Sequence, residues 1–146
     1  MISQTAEYAL RAIVFLADQS DAPQTTQRIA EVTRIPVGYL SKVLQGLNRS
    51  GLVRAQRGMH GGFTLAVPST KLTVLDVVQA VDPLQRIERC PLGISDHKSL
   101  CPLHRGLDNA VAMVEEALAA SPIAGLLAEP NHGNAPKPLC SLTDES

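Results

Sequence analysis

Two short amphipathic segments joined by a proline turn, TTQRIAEVTRIPVGYLSKVLQGLNRSGLV (Thr25 to Val53), constrain the fold more tightly than anything else in this chain. Thr25 or Thr26 suits the N-cap of a short helix with Ile29 and Ala30 on its buried side, because a threonine hydroxyl accepts an amide proton that a helix start leaves unpaired. That helix is expected to end near Thr33 and Arg34. Pro36 disfavours helical backbone at Ile35 and suits the first turn of a new helix, so Ile35-Pro36 marks a turn. The second helix is expected to run to about Ser50, with Leu40, Val43, Leu44 and Leu47 as its apolar stripe, and Gly51 stops it. Two such helices, the second with a basic and polar outer face, match a helix-turn-helix.

The next residues narrow the choice. LVRAQ (Leu52 to Gln56) and FTLAV (Phe63 to Val67) alternate like strands, and RGMHGG (Arg57 to Gly62) lies between them. Its glycines allow a tight reversal and the close approach of another backbone. A helix-turn-helix followed by a two-stranded hairpin is a winged helix. The expected class is mainly α with a small β-hairpin wing: a winged helix-turn-helix plus a long C-terminal dimerisation helix. The plain alternative is a helical domain with one hairpin.

Residues 3–18 read as a first helix, with Leu10, Ile13, Val14 and Ala17 at helical spacing and a break at Ser20 to Pro23. Thr73 with Asp76 forms a capping-box pattern, opening a helix to about Val81 that Pro83 ends. From Leu103 to Ala120 a further helix carries Leu103, Leu107, Val111, Val114 and Leu118 on one face. So long a stripe is expected to lie outside the winged-helix body and bury itself against a second copy, giving a homodimer that addresses two half-sites. The alternative is an intramolecular core helix. Ser121-Pro122 interrupts it, and IAGLLAE adds a turn or two. The division expected is 1–67 for the winged helix-turn-helix DNA-binding region and 68–128 for the cysteine-bearing loop and dimerisation helices, the two forming one compact unit. Residues 129–146 read as a disordered tail, which contains Cys140.

Composition agrees and excludes. The 146 residues suit one small domain with an appendage; 45% are apolar but only 3% aromatic, so the core must be aliphatic, which favours helices. The first twenty residues lack the basic leader of a signal peptide, and no apolar run is long enough to span a membrane. Three cysteines, an odd number, make no disulfide framework, so a reducing cytoplasm is the expected location. The net charge of −1 hides an asymmetry: Thr25 to Ala66 holds six cations and one acid, a net +5, which leaves −6 elsewhere. The asymmetry reads as a basic working face for nucleic acid or as a run of solvated surface charge, and it argues against a protein-interaction module that reuses the fold without DNA. Nothing supports an enzyme: RGMHGG sits in a hairpin and not at a strand-to-helix turn, and no catalytic triad pattern is present.

SQTAEYALRAIVFLA, IPVGYLSKVLQGLNRSGLVRAQRGMHGGFTLA and cysteines ahead of a long helix together resemble the bacterial winged-helix regulators of the IscR/NsrR type, the Rrf2 family. The resemblance covers residues 1 to about 128. It implies a homodimeric transcription factor, usually a repressor, that binds a double-stranded DNA operator and in several members senses redox, nitric oxide or iron through an iron–sulfur cluster. Carried onto this chain, the first turns of the recognition helix (Val37, Gly38, Tyr39, Ser41 and Lys42) would meet base edges. Arg57 of the wing, with His60, would approach the minor groove. Arg28, Arg34 and Arg54 would contact phosphates, which position without specifying. Ser41 stands where some relatives have an acidic residue, so no relative's target sequence transfers.

The same resemblance gives RCPLGISDHKSLCPLHRG (Arg89 to Gly106) a meaning. Cluster-binding relatives carry three cysteines in this loop; here Cys90 and Cys101 match the first and last, His104 follows in CPLH, and Asp96 and His97 occupy the region of the missing one. Three readings stay open. A [2Fe–2S] cluster is held by Cys90 and Cys101 with His104 and Glu7, or with His97 in place of one of them; Glu7 stands where relatives place an acidic ligand that approaches the partner chain's loop. A zinc site uses Cys90, His97, Cys101 and His104. Or there is no metal, and the cysteines are a redox pair or ordinary loop residues.

Overall fold

A computed structural model describes residues 2–19, 21–90, 92–93 and 101–128 of the chain. Along it run α1 (Gln4–Asp18), α2 (Thr26–Thr33), α3 (Val37–Arg49), β1 (Val53–Gln56), β2 (Gly62–Leu65), α4 (Val74–Val81), α5 (Pro102–Ala119) and α6 (Ile123–Ala128). His97, as an alternative ligand, and Cys140 in the tail lie outside the described residues.

Helix α1 is the axis of the core. Ser3 caps it, its hydroxyl accepting the Ala6 amide, and Ala6, Ala9, Ala12, Ile13, Val14, Phe15 and Leu16 are all buried. Three alanines at spacings of three leave room for close neighbours: α3 brings Leu40, Val43, Leu44 and Leu47, α4 brings Val77 and Val78, and Ile29, Leu72 and Ile123 close the ends. Each fully buried aliphatic side chain stabilises by about 1.5–3 kcal/mol relative to exposure. This core holds α3 rigidly by its inner stripe and leaves its outer face to solvent.

Local signals set the boundaries. Thr25 caps α2 through the Arg28 amide, and Arg34 closes it in the left-handed conformation at φ 57°. Pro36 takes the N-cap position of α3, one residue ahead of the first turn where the sequence placed it, because its extended backbone ends the turn from Ile35. Gly51 at φ 76° follows α3. The capping box at α4 is present in both directions, Thr73 N to Asp76 Oδ2 at 3.0 Å and Asp76 N to Thr73 Oγ1 at 3.2 Å. Both strands are shorter than the alternation suggests, pairing antiparallel from Val53 with Leu65 to Gln56 with Gly62.

The hairpin is not isolated. Gln24, in the connection from α1 to α2, pairs with Phe63: the Gln24 amide donates to the Phe63 carbonyl at 3.0 Å and the Phe63 amide to the Gln24 carbonyl at 2.8 Å. A Cβ at Gly62 would lie 2.5 Å from the Gln24 carbonyl oxygen, so this glycine is what lets the two backbones meet. The glycines of the wing imply such a close approach but do not name its partner.

Helix α5 differs from every other long element. Of its eighteen residues only His104 is buried. Leu118 reaches the core, while Leu103, Leu107 and Met113 are exposed. Val111 and Val114 line, with Leu84, Ile87, Leu107 and Ala110, a shallow apolar groove of about 220 Å³. Beyond α5 the chain is stitched back: the Ile123 amide donates to the Leu72 carbonyl at 2.8 Å, and the Val74 amide to the Ser121 carbonyl at 2.9 Å. Among the described residues no helix is long and apolar enough to cross a membrane.

Candidate nucleic-acid interface and cysteine region

The N-terminal turns of α3 present what a groove-reading helix requires. Leu40, Val43, Leu44 and Leu47 anchor one side. On the other, Val37 is 53% and Tyr39 58% exposed, with Gly38 and Lys42 also open to solvent. A Cβ at Gly38 would meet nothing within 4 Å, so this surface is open to a partner rather than packed. Ser41 Oγ donates to the Val37 carbonyl at 3.0 Å. With that proton committed to the helix, the hydroxyl oxygen is left as an acceptor, suited to an exocyclic amino group on a base.

Tyr39 is braced from behind. Its ring stands 6.2 Å from that of Tyr8 on α1, tilted by 58°, and the Arg11 guanidinium lies 5.5 Å over the Tyr8 ring. This tilted ring pair, with a cation over the Tyr8 ring, orients Tyr39 without burying it. Nothing in the sequence pattern marks Tyr8 and Arg11 for a role, although their i, i+3 spacing on α1 places them on one face.

The wing tip carries Arg57, Met59 and His60, all exposed, with Met59 at 96%. Arg57 and His60 therefore stand on one loop free of packing, as their positions in RGMHGG imply. Met59, which no motif singles out, is the most exposed large apolar side chain of the wing. Arg28 lies on α2 beside Glu31, its Nη1 4.0 Å from Oε2, with both side chains more than half exposed. Arg54 is exposed on β1.

At the start of α5, Cys101 is the N-cap, its Sγ accepting the His104 amide at 3.4 Å, and Pro102 supplies the first helical residue. One turn on, the buried His104 ring sets Nε2 2.5 Å from the Ile87 carbonyl. A carbonyl only accepts, so Nε2 carries a proton toward it, and Nδ1 is the nitrogen left outside this bond. Cys90 is half-buried, and neither Cys90 nor Cys101 forms a disulfide. Glu7 is exposed on the first turn of α1.

Among the described residues no three His, Cys, Asp or Glu side chains gather into a metal-binding group. Cys90, Cys101, His104 and Glu7 of a single chain are thus not brought together into one site. Their chemistry nevertheless suits an iron–sulfur centre: two sulfurs, and an imidazole whose second nitrogen is held by a backbone carbonyl, as in ligating histidines generally.

Beside these donors, Arg86 forks onto Asp108 (Nε to Oδ1 2.7 Å, Nη2 to Oδ2 2.6 Å) and reaches Glu115 at 3.2 Å. The guanidinium holds the Asp108 carboxyl down at about 2, with help from the Ile87 amide. None of these residues stands out in the sequence. Asp108 and Glu115 are seven apart and so share a helix face, but nothing local connects them to an arginine twenty-two residues earlier.

A basic recognition helix on an aliphatic core, followed by an exposed arginine-bearing wing, defines a winged helix-turn-helix DNA-binding regulator. The Rrf2 family, described as iron-dependent transcriptional regulators, matches residues 2–129. A protein of Mycobacterium tuberculosis assigned as an HTH-type transcriptional regulator is 31% identical over 150 residues, covering 99% of this chain and 89% of the relative. Among solved structures, CymR, the global cysteine regulator of B. subtilis, is similar with a TM-score of 0.71 at 23% identity, covering 86% of this chain and 95% of that one. IscR of T. potens is similar with a TM-score of 0.71 at 23% identity, covering 87% and 85%. The chain belongs to the Rrf2 family of transcriptional regulators and is not an enzyme.

Proposed function

We propose that this regulator is a cytoplasmic homodimeric repressor that senses redox state, nitric oxide or iron supply through a [2Fe–2S] cluster. The observation that carries its DNA contacts is the solvent-facing tip of α3, where Val37 and Tyr39 stand more than half exposed opposite a fully buried stripe. Val37, Gly38, Tyr39, Ser41 and Lys42 enter the major groove, Arg57 and His60 take the minor groove, and Arg28 meets the backbone. The open apolar face of α5 is the dimer seam.

Cys90, Cys101 and His104 hold the cluster, with Glu7 of the partner subunit as the fourth ligand. This assignment is supported by the family's description as iron-dependent and by the His104 ring, whose Nε2 is held by the Ile87 carbonyl, which leaves Nδ1 as the nitrogen to face a ligand. When bound, such a cluster supplies a redox-active iron centre whose potential a nitrogen ligand raises. The chain's own part is to place Cys101 and His104 at the start of the dimer helix, so that the state of the loop bears on the geometry of the seam.

A second reading, a cluster-free or zinc-binding thiol-based regulator of the same fold, is favoured by one observation: the Cys101 sulfur already has a structural task as the cap of α5. Absorbance with iron, sulfide and zinc analysis on protein purified without oxygen separates the two, and a gel shift on the DNA upstream of its own gene tests the interface. Brown protein with about two irons and two sulfides per site supports the cluster. Cys101→Ser keeps a good N-cap while removing the sulfur, so it should abolish the visible bands with little loss of helix stability. Colourless protein with stoichiometric zinc, or with neither metal after attempted reconstitution, overturns the cluster in favour of the second reading.

A further inference from the structure

The segment from Leu84 to Ile87 lies along the start of α5, and Ile87 is gripped at both ends of its backbone. Its amide donates to Asp108 Oδ1 at 3.1 Å, and its carbonyl accepts from His104 Nε2 at 2.5 Å. His104 and Asp108 are four residues apart, so they stand one turn above the other on a single face. Asp108 is fixed in turn by the bidentate fork from Arg86, the strongest hydrogen-bond geometry available between a guanidinium and a carboxylate. Arg86 also reaches Glu115, two turns further along α5. The two carboxylates are partly shielded, Asp108 at 16% and Glu115 at 23% exposure, while the Arg86 guanidinium that joins them stays 44% open to solvent.

The network does more than tie the loop down. An imidazole packed among apolar groups can carry its proton on either nitrogen, and a carbonyl held against Nε2 removes that choice. The carbonyl stays in place because the amide of the same residue is fastened to Asp108.

We propose that Arg86 and Asp108 are positioning residues for His104: by clamping Ile87 onto α5 they hold its carbonyl against Nε2, fix the Nε2–H tautomer and present Nδ1 as the donor. The clamp is a property of the chain itself. Only the identity of what Nδ1 meets rests on the cluster reading. Outer partners of this kind matter to a metal site: losing one costs about 10–100-fold in metal affinity.

The test is long-range nitrogen–proton NMR of the histidine rings in the full-length, metal-free protein, for the wild type, Asp108→Asn and Arg86→Gln. The chain has four histidines, so His104 is assigned by its disappearance in His104→Gln. The wild type should show one Nε2–H tautomer at His104, and both variants a mixture. Arg86 is 44% exposed, so its replacement should leave a folded chain even where the Asp108 variant suffers. An unchanged Nε2–H tautomer in the two variants overturns the clamp. Iron retention against a chelator is measured in parallel on protein purified without oxygen. A drop of about 10–100-fold in both variants extends the clamp to the metal. A changed tautomer with unchanged iron retention overturns the part assigned to Nδ1. If the wild type holds no iron, the cluster reading fails while the tautomer comparison still decides the clamp.

Discussion

Helices α3 and α5 carry apolar stripes of similar quality in sequence and have opposite fates in the folded chain. The α3 stripe is completely buried, with Leu40, Leu44 and Leu47 at 0% exposure. The α5 stripe is left standing, with Leu103 at 47% and Leu107 at 42%. Periodicity reports that a face will be covered, not by what. For α3 the cover is α1 and α4 of the same chain. For α5 the described residues bury His104, bring Leu118 to the core and lay Leu84 and Ile87 beside its middle, and in the proposed dimer a second copy covers what stays open. Among the described residues α3 is thus covered from within its own chain and presents a polar outer face, whereas α5 keeps an open apolar surface.

The sharpest way to break this contrast is to truncate one residue from each stripe. Leu44→Ala removes side-chain volume from the centre of the core and should destabilise the protomer by about 2–5 kcal/mol, abolishing operator binding through unfolding. Chemical denaturation of the full chain measures it. Leu107→Glu should act in the reverse manner. It should leave the protomer's secondary structure intact, because its side chain is already in contact with water, while a charge placed in the seam shifts sedimentation from dimer to monomer. A dimer that survives Leu107→Glu at micromolar concentration would show that α5 is not the seam.

The two regions also differ in how far the sequence alone can describe them. In the winged helix and at the start of α4 beside it the signals are local: the Thr25 cap, the Ile35-Pro36 turn, Gly51 and the Thr73–Asp76 box each act within four residues, and each is present. The Gln24–Phe63 pairing is invisible in sequence because it joins residues 39 positions apart through backbone alone. Around Cys101 and His104 almost everything is of that second kind. The proximity of Cys101 and His104 is legible as CPLH, but the burial of His104 and its bond to Ile87 depend on a segment 17 residues earlier. The Arg86 fork spans 22. Side-chain pairs at such separations leave no periodic trace.

A smaller effect tests the working face of α3 and the wing without touching either stripe. Arg57→Ala should weaken operator binding by about 1–3 kcal/mol, which is about 5–150-fold, while stability and any visible chromophore stay as in the wild type. Titrations at several salt concentrations add a second reading. A side chain that neutralises one phosphate should take about one unit from the slope of log affinity against log salt. A loss confined to A·T-rich operators would mark Arg57 as a reader of groove width instead.

The smallest expected effect is the most discriminating for Arg28. Its pairing with Glu31 spans 4.0 Å between side chains that are 58% and 59% exposed. Such a pair contributes no more than about 0.5 kcal/mol to stability, because water screens the attraction and two long side chains lose rotamer freedom to maintain it. Glu31→Ala should therefore leave the denaturation midpoint almost unchanged. Glu31 is, however, the single acid of the segment from Thr25 to Ala66. Removing it raises the local charge from +5 to +6 and releases Arg28 from this carboxylate. If Arg28 meets the DNA backbone, affinity should rise modestly at low salt, and the gain should vanish as the Debye length contracts to about 3 Å near 1 M. If affinity falls instead, Glu31 holds Arg28 in the orientation that reaches the phosphate, and the pair belongs to the binding surface rather than competing with it.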